Sequence, residues 1–380
     1  MGLLLSLTCC SDDDDDRRRQ PVAVTLAAYS PSLVEVEPMS RLTRAVEWPP
    51  EGYKPYYAIQ NNEGLMKSDS GAAIGVYFTQ GTTKIARKFR PYISDKWIID
   101  DSVDVGTYQL YGFVPHKAVD TVRSVIAPYN GSYANGVVMT LKGINSVQSQ
   151  DVCVIVGAKH GTATNQPQPV STPRPGDFTC EFKANGNYIF LLFDHLYAAI
   201  RFQFRVDATY AGLRTIKMRQ MKLSAFEDEA CTRPMSKVST TVTLAANSDG
   251  SSVFVDGVEY TTDDNEPSEP VLICDRETNP VTLPSDTWSE SLGFVPKVSS
   301  YYLLESTYDV YDNNRTTEHP DGNLIRSRCV AVNKIDILLL FNMATLNRGY
   351  VYTIKLKIEP TYLYMLSEPD LDNPTVKIGI

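Results

Sequence analysis

An all-β fold of short strands is what this sequence predicts, on three observations. The 22 Tyr, 22 Gly and 23 Pro among 380 residues favour strands and turns over helices. Short apolar runs recur between clusters of Gly, Asn and Pro, which is the spacing of a β-sandwich. Two stretches alternate with a period of two. In the first, Ile200, Phe202, Phe204 and Val206 alternate with Arg201, Gln203, Arg205 and Asp207. In the second, Tyr350, Tyr352, Ile354, Leu356 and Ile358 alternate with Val351, Thr353, Lys355 and Lys357, as a strand with one buried face requires.

The length exceeds one ordinary domain, so two domains of comparable size are expected. An apolar fraction of 43% and a charged fraction of 21% are those of a chain that folds. The net charge of −9, with Lys and Arg dispersed, argues against nucleic acid as a partner. No apolar run reaches the ~18 residues that a helical membrane span needs.

The elements follow in chain order. Gly2 to Cys10 (GLLLSLTCC) resembles the end of a lipoprotein signal peptide, with Leu7-Thr8-Cys9-Cys10 as lipobox. Cys10 is then the lipidated residue, with Cys9 the weaker choice. The basic n-region is missing and the apolar run is short, which implies a truncated leader or a misplaced start. Asp12 to Asp16 cannot pack into a core and read as a solvated tether, so residues 1–20 are leader and acidic tether. After a lipoprotein cysteine, such a run also resembles the surface-export tag of certain Gram-negative gut and oral bacteria.

Residues 21–44 hold two strand-like runs, Val22 to Leu26 and Leu33 to Glu37, broken at Ser30-Pro31-Ser32. Leu42-Thr43-Arg44-Ala45 follows in a polar stretch, where an extended backbone after an edge strand would admit a trypsin-like protease. Strands are expected over Ala72–Phe78, Thr107–Phe113, Val137–Leu141 and Val152–Val156. Leu192, Leu196 and Ala199 recur at helical spacing, so Leu191 to Ile200 is expected to make one or two helical turns. The strand at Ile200 follows, the chain turns at Tyr210-Ala211-Gly212, and Leu213 to Leu223 returns with its phase slipping between Met218 and Met221, the mark of a bulge.

The succession Phe193-Asp194-His195-Leu196, Ile200-Arg201-Phe202-Gln203-Phe204 and Leu213-Arg214-Thr215-Ile216-Lys217 resembles the end of the first domain in the fimbrillin-like pilus and surface lipoproteins of those same bacteria. The resemblance spans nearly the whole chain from Cys10. It implies two transthyretin-like Greek-key β-sandwich domains in tandem. It also implies a first strand removed by a trypsin-like, Arg-specific protease, leaving a groove that a neighbouring subunit's strand fills. Leu42-Thr43-Arg44-Ala45 matches the family's cleavage pattern, with the cut between Arg44 and Ala45.

The charged bridge Ala225 to Ser236 suggests a domain boundary near residue 225, giving domains at 45–225 and 226–380. Further strands are expected over Val238–Leu244, Val253–Tyr260, Val271–Cys274, Tyr301–Tyr311 and Leu324–Val332. A turn at Asn347-Arg348-Gly349 precedes the strand at Tyr350, which is the last core strand in the family. The tail 362–380 carries Tyr362, Leu363, Met365 and Leu366, then Val376, Ile378 and Ile380. Alternate apolar residues of this kind suit a donor strand, or a strand of its own domain.

Catalytic signatures are missing. His116, His160, His195 and His319 lie far apart without paired-ligand spacing and read as structural. The sequence has no nucleophile elbow, Walker loop or dinucleotide fingerprint. Cys153, Cys180, Cys231, Cys274 and Cys329 form no CxxC and no metal-ligand pattern, so they read as small buried hydrophobes, with one oxidised pair as the alternative. No enzyme activity, metal or cofactor is expected.

The leading expectation is a pilus subunit, exported to the cell surface as an outer-membrane lipoprotein, cut after Arg44 and assembled with other fimbrial subunits by donor-strand exchange. Its binding partner would be a host or bacterial surface receptor. The competing expectation is a lipid-anchored glycan-binding protein that never polymerises and stacks sugars on exposed Tyr or on Trp48, Trp97 or Trp288.

Overall fold

The computed structural model describes residues 24–30, 34–36, 54–55, 74–88, 97–98, 103–161, 177–180, 187–246, 253–287, 289–295 and 301–358. Strands dominate them. The chain begins with β1 (Val24–Ser30), β2 (Val34–Val36) and the two-residue β3 (Lys54–Pro55). A hairpin of β4 (Gly75–Gln80) and β5 (Thr83–Lys88) precedes the two-residue β6 (Trp97–Ile98). Then come β7 (Gly106–Val114), β8 (Asp120–Pro128), β9 (Gly136–Ile144), β10 (Cys153–Gly161) and β11 (Asp177–Cys180). β12 (Asn187–His195) and β13 (Ala198–Val206) lead through a helical turn, α1 (Ala208–Ala211), into β14 (Arg214–Phe226). β15 (Ser236–Ala246) and β16 (Val253–Pro267) form a long hairpin, followed by β17 (Val271–Asp275), β18 (Val281–Thr282), β19 (Ser289–Val295) and β20 (Tyr301–Asp312). β21 (Leu324–Asp336), the short α2 (Ile337–Phe341) and β22 (Tyr350–Ile358) complete the described chain.

Among the described residues, four sheets line two hydrophobic clusters. The first core is lined by β7 and β10 of the sheet β3-β1-β12-β10-β7-β4-β5 and by β8, β9 and β15 of the sheet β16-β15-β9-β8. Tyr111, Phe113, Val137, Met139, Leu141, Val154, Val242 and Leu244 fill it. The second core lies between the sheets β19-β13-β22-β2 and β17-β14-β20-β21, and holds Ile200, Phe202, Met218, Leu223, Tyr302, Leu304, Tyr352 and Ile354.

The period-two readings hold where one face is buried. In β13, Ile200, Phe202, Phe204 and Val206 are buried while Arg201, Gln203 and Arg205 are half-buried. In β22, Tyr352 and Ile354 join the second core with Tyr350, Leu356 and Ile358 packed against it. Val351 points the other way and packs into the first core, so β22 touches both. The slip in β14 is a break in register with β20 between Met218 and Gln220.

One expectation is corrected. Leu191 to Ile200 is not helical: it is the end of β12, a short connection and the start of β13. Residues 193–200 are all buried, and a strand covered on both faces shows the same apolar run as a buried helical turn. The boundary suggested near residue 225 lies where strands of the two cores alternate along the chain. It falls inside β14; β13 and β14 before it line the second core, while β15 after it pairs with β9 and lines the first. The polar residues after Phe226 form an exposed loop closed by Asp228, which accepts from Thr232 N at 3.0 Å and Arg233 N at 2.9 Å.

Candidate functional site

The stretch from Val24 to Val36 gives a strand to each half of the molecule. β1 runs parallel to β12, from Val24 opposite Asn187 to Tyr29 opposite Leu192. Among the described residues its other side is met by β6 at Thr25 and Leu26, and by β3 at Tyr29 and Ser30. β1 is therefore paired on both sides. β2 runs parallel to β22, placing Val34, Glu35 and Val36 opposite Tyr350, Val351 and Tyr352, and forms the edge of its sheet. A parallel partner cannot be joined by a tight turn, so both strands are held by ladder hydrogen bonds, not by a hairpin.

The two acceptor strands meet at one junction. β12 continues through Leu196 and Tyr197 into β13, and β13 pairs in parallel with β22. Arg348 forms an ion pair with Asp194 and donates from Nη1 to the His195 carbonyl at 3.1 Å. Gly349 N donates to the Tyr197 carbonyl at 2.9 Å, with Gly349 at φ +74, a conformation that glycine adopts without strain. Leu196 N donates to the Val152 carbonyl at 2.8 Å, Tyr260 hydroxyl donates to the Leu196 carbonyl, and Tyr197 hydroxyl lies 3.2 Å from Thr240 Oγ1. Burial pushes the Tyr197 and Tyr260 phenols above their ordinary range, so both stay protonated hydrogen-bond donors.

Below this junction lies a buried polar cluster. Cys153 and His195 face each other across the β10–β12 ladder, and Asp151 precedes Cys153 by two residues. The Asp151 carboxylate is hydrogen-bonded to His195 Nδ1, and Cys153 Sγ lies 3.7 Å from the same nitrogen. Asp151 Oδ1 is buried without a hydrogen-bond partner. Burial, then the Asp151 charge, pushes the Cys153 thiol well up. Sequence reading took His195 and Cys153 separately as structural, because 42 residues divide them. The available signal was the spacing Asp151-x-Cys153, which would put both side chains on one side of an extended segment.

Of the sequence-predicted site residues, Cys9, Cys10, Arg44, Ala45, Tyr362, Leu363, Met365, Leu366, Val376 and Ile378 lie outside the described residues, as do Trp48 and Trp288. Cys153, Cys231, Cys274 and Cys329 are free thiols, Cys153 and Cys329 buried. A polar cleft beside β9 is lined by Lys117, Gln148, Gln150, Lys237 and Glu269, with no aromatic among its lining residues. It offers no stacking platform for a sugar ring.

The geometry defines an all-β chain whose N-terminal segment completes two sheets of different cores. No protein-family model matches it, and no curated protein does. Solved structures do. A fimbrial protein from Bacteroides vulgatus is 14% identical, with 90% of this chain and 96% of that chain covered at a TM-score of 0.34. A proposed cell adhesion protein from Bacteroides fragilis is 11% identical, covering 90% and 93% at a TM-score of 0.39. The fimbrial anchor protein Mfa2 from Porphyromonas gingivalis is 12% identical, covering 90% and 91% at a TM-score of 0.28.

Proposed function

We propose that the chain is a pilus subunit, exported as a surface lipoprotein through Cys10, cut between Arg44 and Ala45, and assembled by donor-strand exchange in support of adhesion. The observation that carries this reading is the placement of β1 and β2. Both precede Arg44, and each completes a sheet in parallel with a strand far away in sequence. Removal of residues 1–44 strips the backbone N–H and C=O groups of β12 and β22 on those sides, and a strand from another subunit satisfies them. The tail 362–380, with its apolar runs at Tyr362–Leu366 and Val376–Ile380, is the donor in this proposal. The chemistry is mechanical, and no catalytic step is needed.

The test is Arg44→Ala, read by N-terminal sequencing and by polymer length on cells. Monomers that retain residues 21–44 are the expected result. Polymer whose subunits begin at Ala45 in that mutant would refute the cut.

A further inference from the structure

We propose that Asp151, Cys153 and His195 form a buried site for one divalent cation of the zinc class, which clamps β10 to β12. The three donors come from strand geometry. Asp151 lies two residues before Cys153, just ahead of β10, and His195 sits directly across the ladder from Cys153. One ligand atom from each lies within 4.8 Å of the others, and all three residues are buried.

The spacing suits tetrahedral coordination. Metal bonds of about 2.3 Å to sulfur and about 2.0–2.1 Å to nitrogen place those two atoms about 3.5 Å apart. The Cys153 Sγ to His195 Nδ1 distance is 3.7 Å. The Asp151 and His195 atoms are closer than two ligands of one metal, because a proton lies between them; a cation replaces that proton and takes the carboxylate. Asp151 Oδ1, buried with no hydrogen-bond partner, is the oxygen that the present arrangement leaves unused. A thiolate, a carboxylate and a neutral imidazole balance a charge of 2+, and this mixed S, N and O set favours zinc over magnesium or calcium.

A buried aspartate–histidine pair beside an inert thiol is the competing account. It leaves Asp151 Oδ1 buried without a hydrogen-bond partner, which native interiors avoid. Binding fixes His195 through its side chain, while its carbonyl is held by Arg348. The acceptor strand β12 is thereby tied to β10 on the side opposite β1. The site itself does not depend on strand exchange.

The test refolds the full chain from denaturant with a non-thiol reductant, with and without Co²⁺, followed by gel filtration. The expected result is one cobalt retained per chain, with a thiolate-to-cobalt charge-transfer band in the near ultraviolet. The band is lost in Cys153→Ser and kept in Cys231→Ser. Asp151→Asn, which preserves side-chain shape, weakens retention by tenfold or more, and covers the case in which Cys153→Ser fails to fold. Wild-type chain that folds with no retained cobalt overturns the proposal, as does a band that survives Cys153→Ser.

Discussion

Deleting residues 1–44 tests whether β1 and β2 complete the fold or merely decorate it. The β1 ladder sets six residues against β12, from Val24 opposite Asn187 to Tyr29 opposite Leu192. A parallel ladder gives about one hydrogen bond per residue, and each is worth about 0.5–1.5 kcal/mol net. The deletion therefore costs about 3–9 kcal/mol at β12, with a smaller loss at the three β2 positions opposite Tyr350, Val351 and Tyr352. Whole proteins are stable by only about 5–15 kcal/mol, so the truncated monomer loses much of its margin. Urea unfolding should show a midpoint lowered by about 1–3 M at an m-value near 3 kcal/mol/M. A synthetic peptide of residues 21–37 should restore the midpoint in a concentration-dependent way, since binding only the folded state stabilises it. Deletion of residues 1–20 alone should change nothing. A truncated chain with an unshifted midpoint, indifferent to the peptide, would refute the reasoning.

Two further outcomes follow from buried charge and buried phenols. Asp309 is fully buried and accepts from Arg219 Nε at 2.9 Å and from Arg328 N at 2.9 Å, so Asp309→Asn should cost about 3–5 kcal/mol in urea unfolding. Glu227→Gln, whose partner Arg233 is 68% exposed, should cost under about 1 kcal/mol. Burial raises the Tyr210 phenol to about 12 and those of Tyr197, Tyr260 and Tyr302 above their ordinary range. Raised values favour the protonated, folded form, so this stability is complete below about pH 10 and is lost as pH climbs through the folded values. The urea midpoint should hold from about pH 8 to 9.5 and fall from about pH 10 upward, less steeply in Tyr302→Phe. Titration of Tyr197, Tyr260 or Tyr302 near pH 10 in the folded chain would contradict it.

The strands were legible where one face is wet. Ile200 to Val206 alternates because Arg201, Gln203 and Arg205 reach solvent, and the slip near Met218 shows in the sequence because a bulge shifts the apolar phase. Leu191 to Ile200 was not legible, since burial on both sides erases the period that separates strand from helix. The interleaving of the cores was hidden for another reason. A hairpin such as β15–β16 carries its own turn and alternation, but nothing in it specifies that β15 pairs with β9 across some ninety residues of chain. The same long-range pairing hid the Asp151, Cys153 and His195 cluster. Each residue is commonplace alone, and the chemistry arises only from the register of β10 on β12.

The junction sets a requirement on any replacement for β1 and β2. The edge of β12 and the edge of β22 belong to different cores, yet both are bound to the same short connection, through Asp194, His195 and Tyr197 on one side and Arg348 and Gly349 on the other. A donor with a single apolar run satisfies one edge and leaves the other open to water. The native occupant solves this with two short strands, β1 and β2, and the sequence between them carries Pro31, which has no N–H to leave unpaired. The tail has the same layout in its sequence: Tyr362, Leu363, Met365 and Leu366, a polar break containing Pro369 and Pro374, then Val376, Ile378 and Ile380. In the proposed assembly the first run pairs with one vacated edge and the second with the other. Charge placed at Leu363 and Met365, or at Val376 and Ile378, should then weaken assembly separately, and both changes together should abolish it.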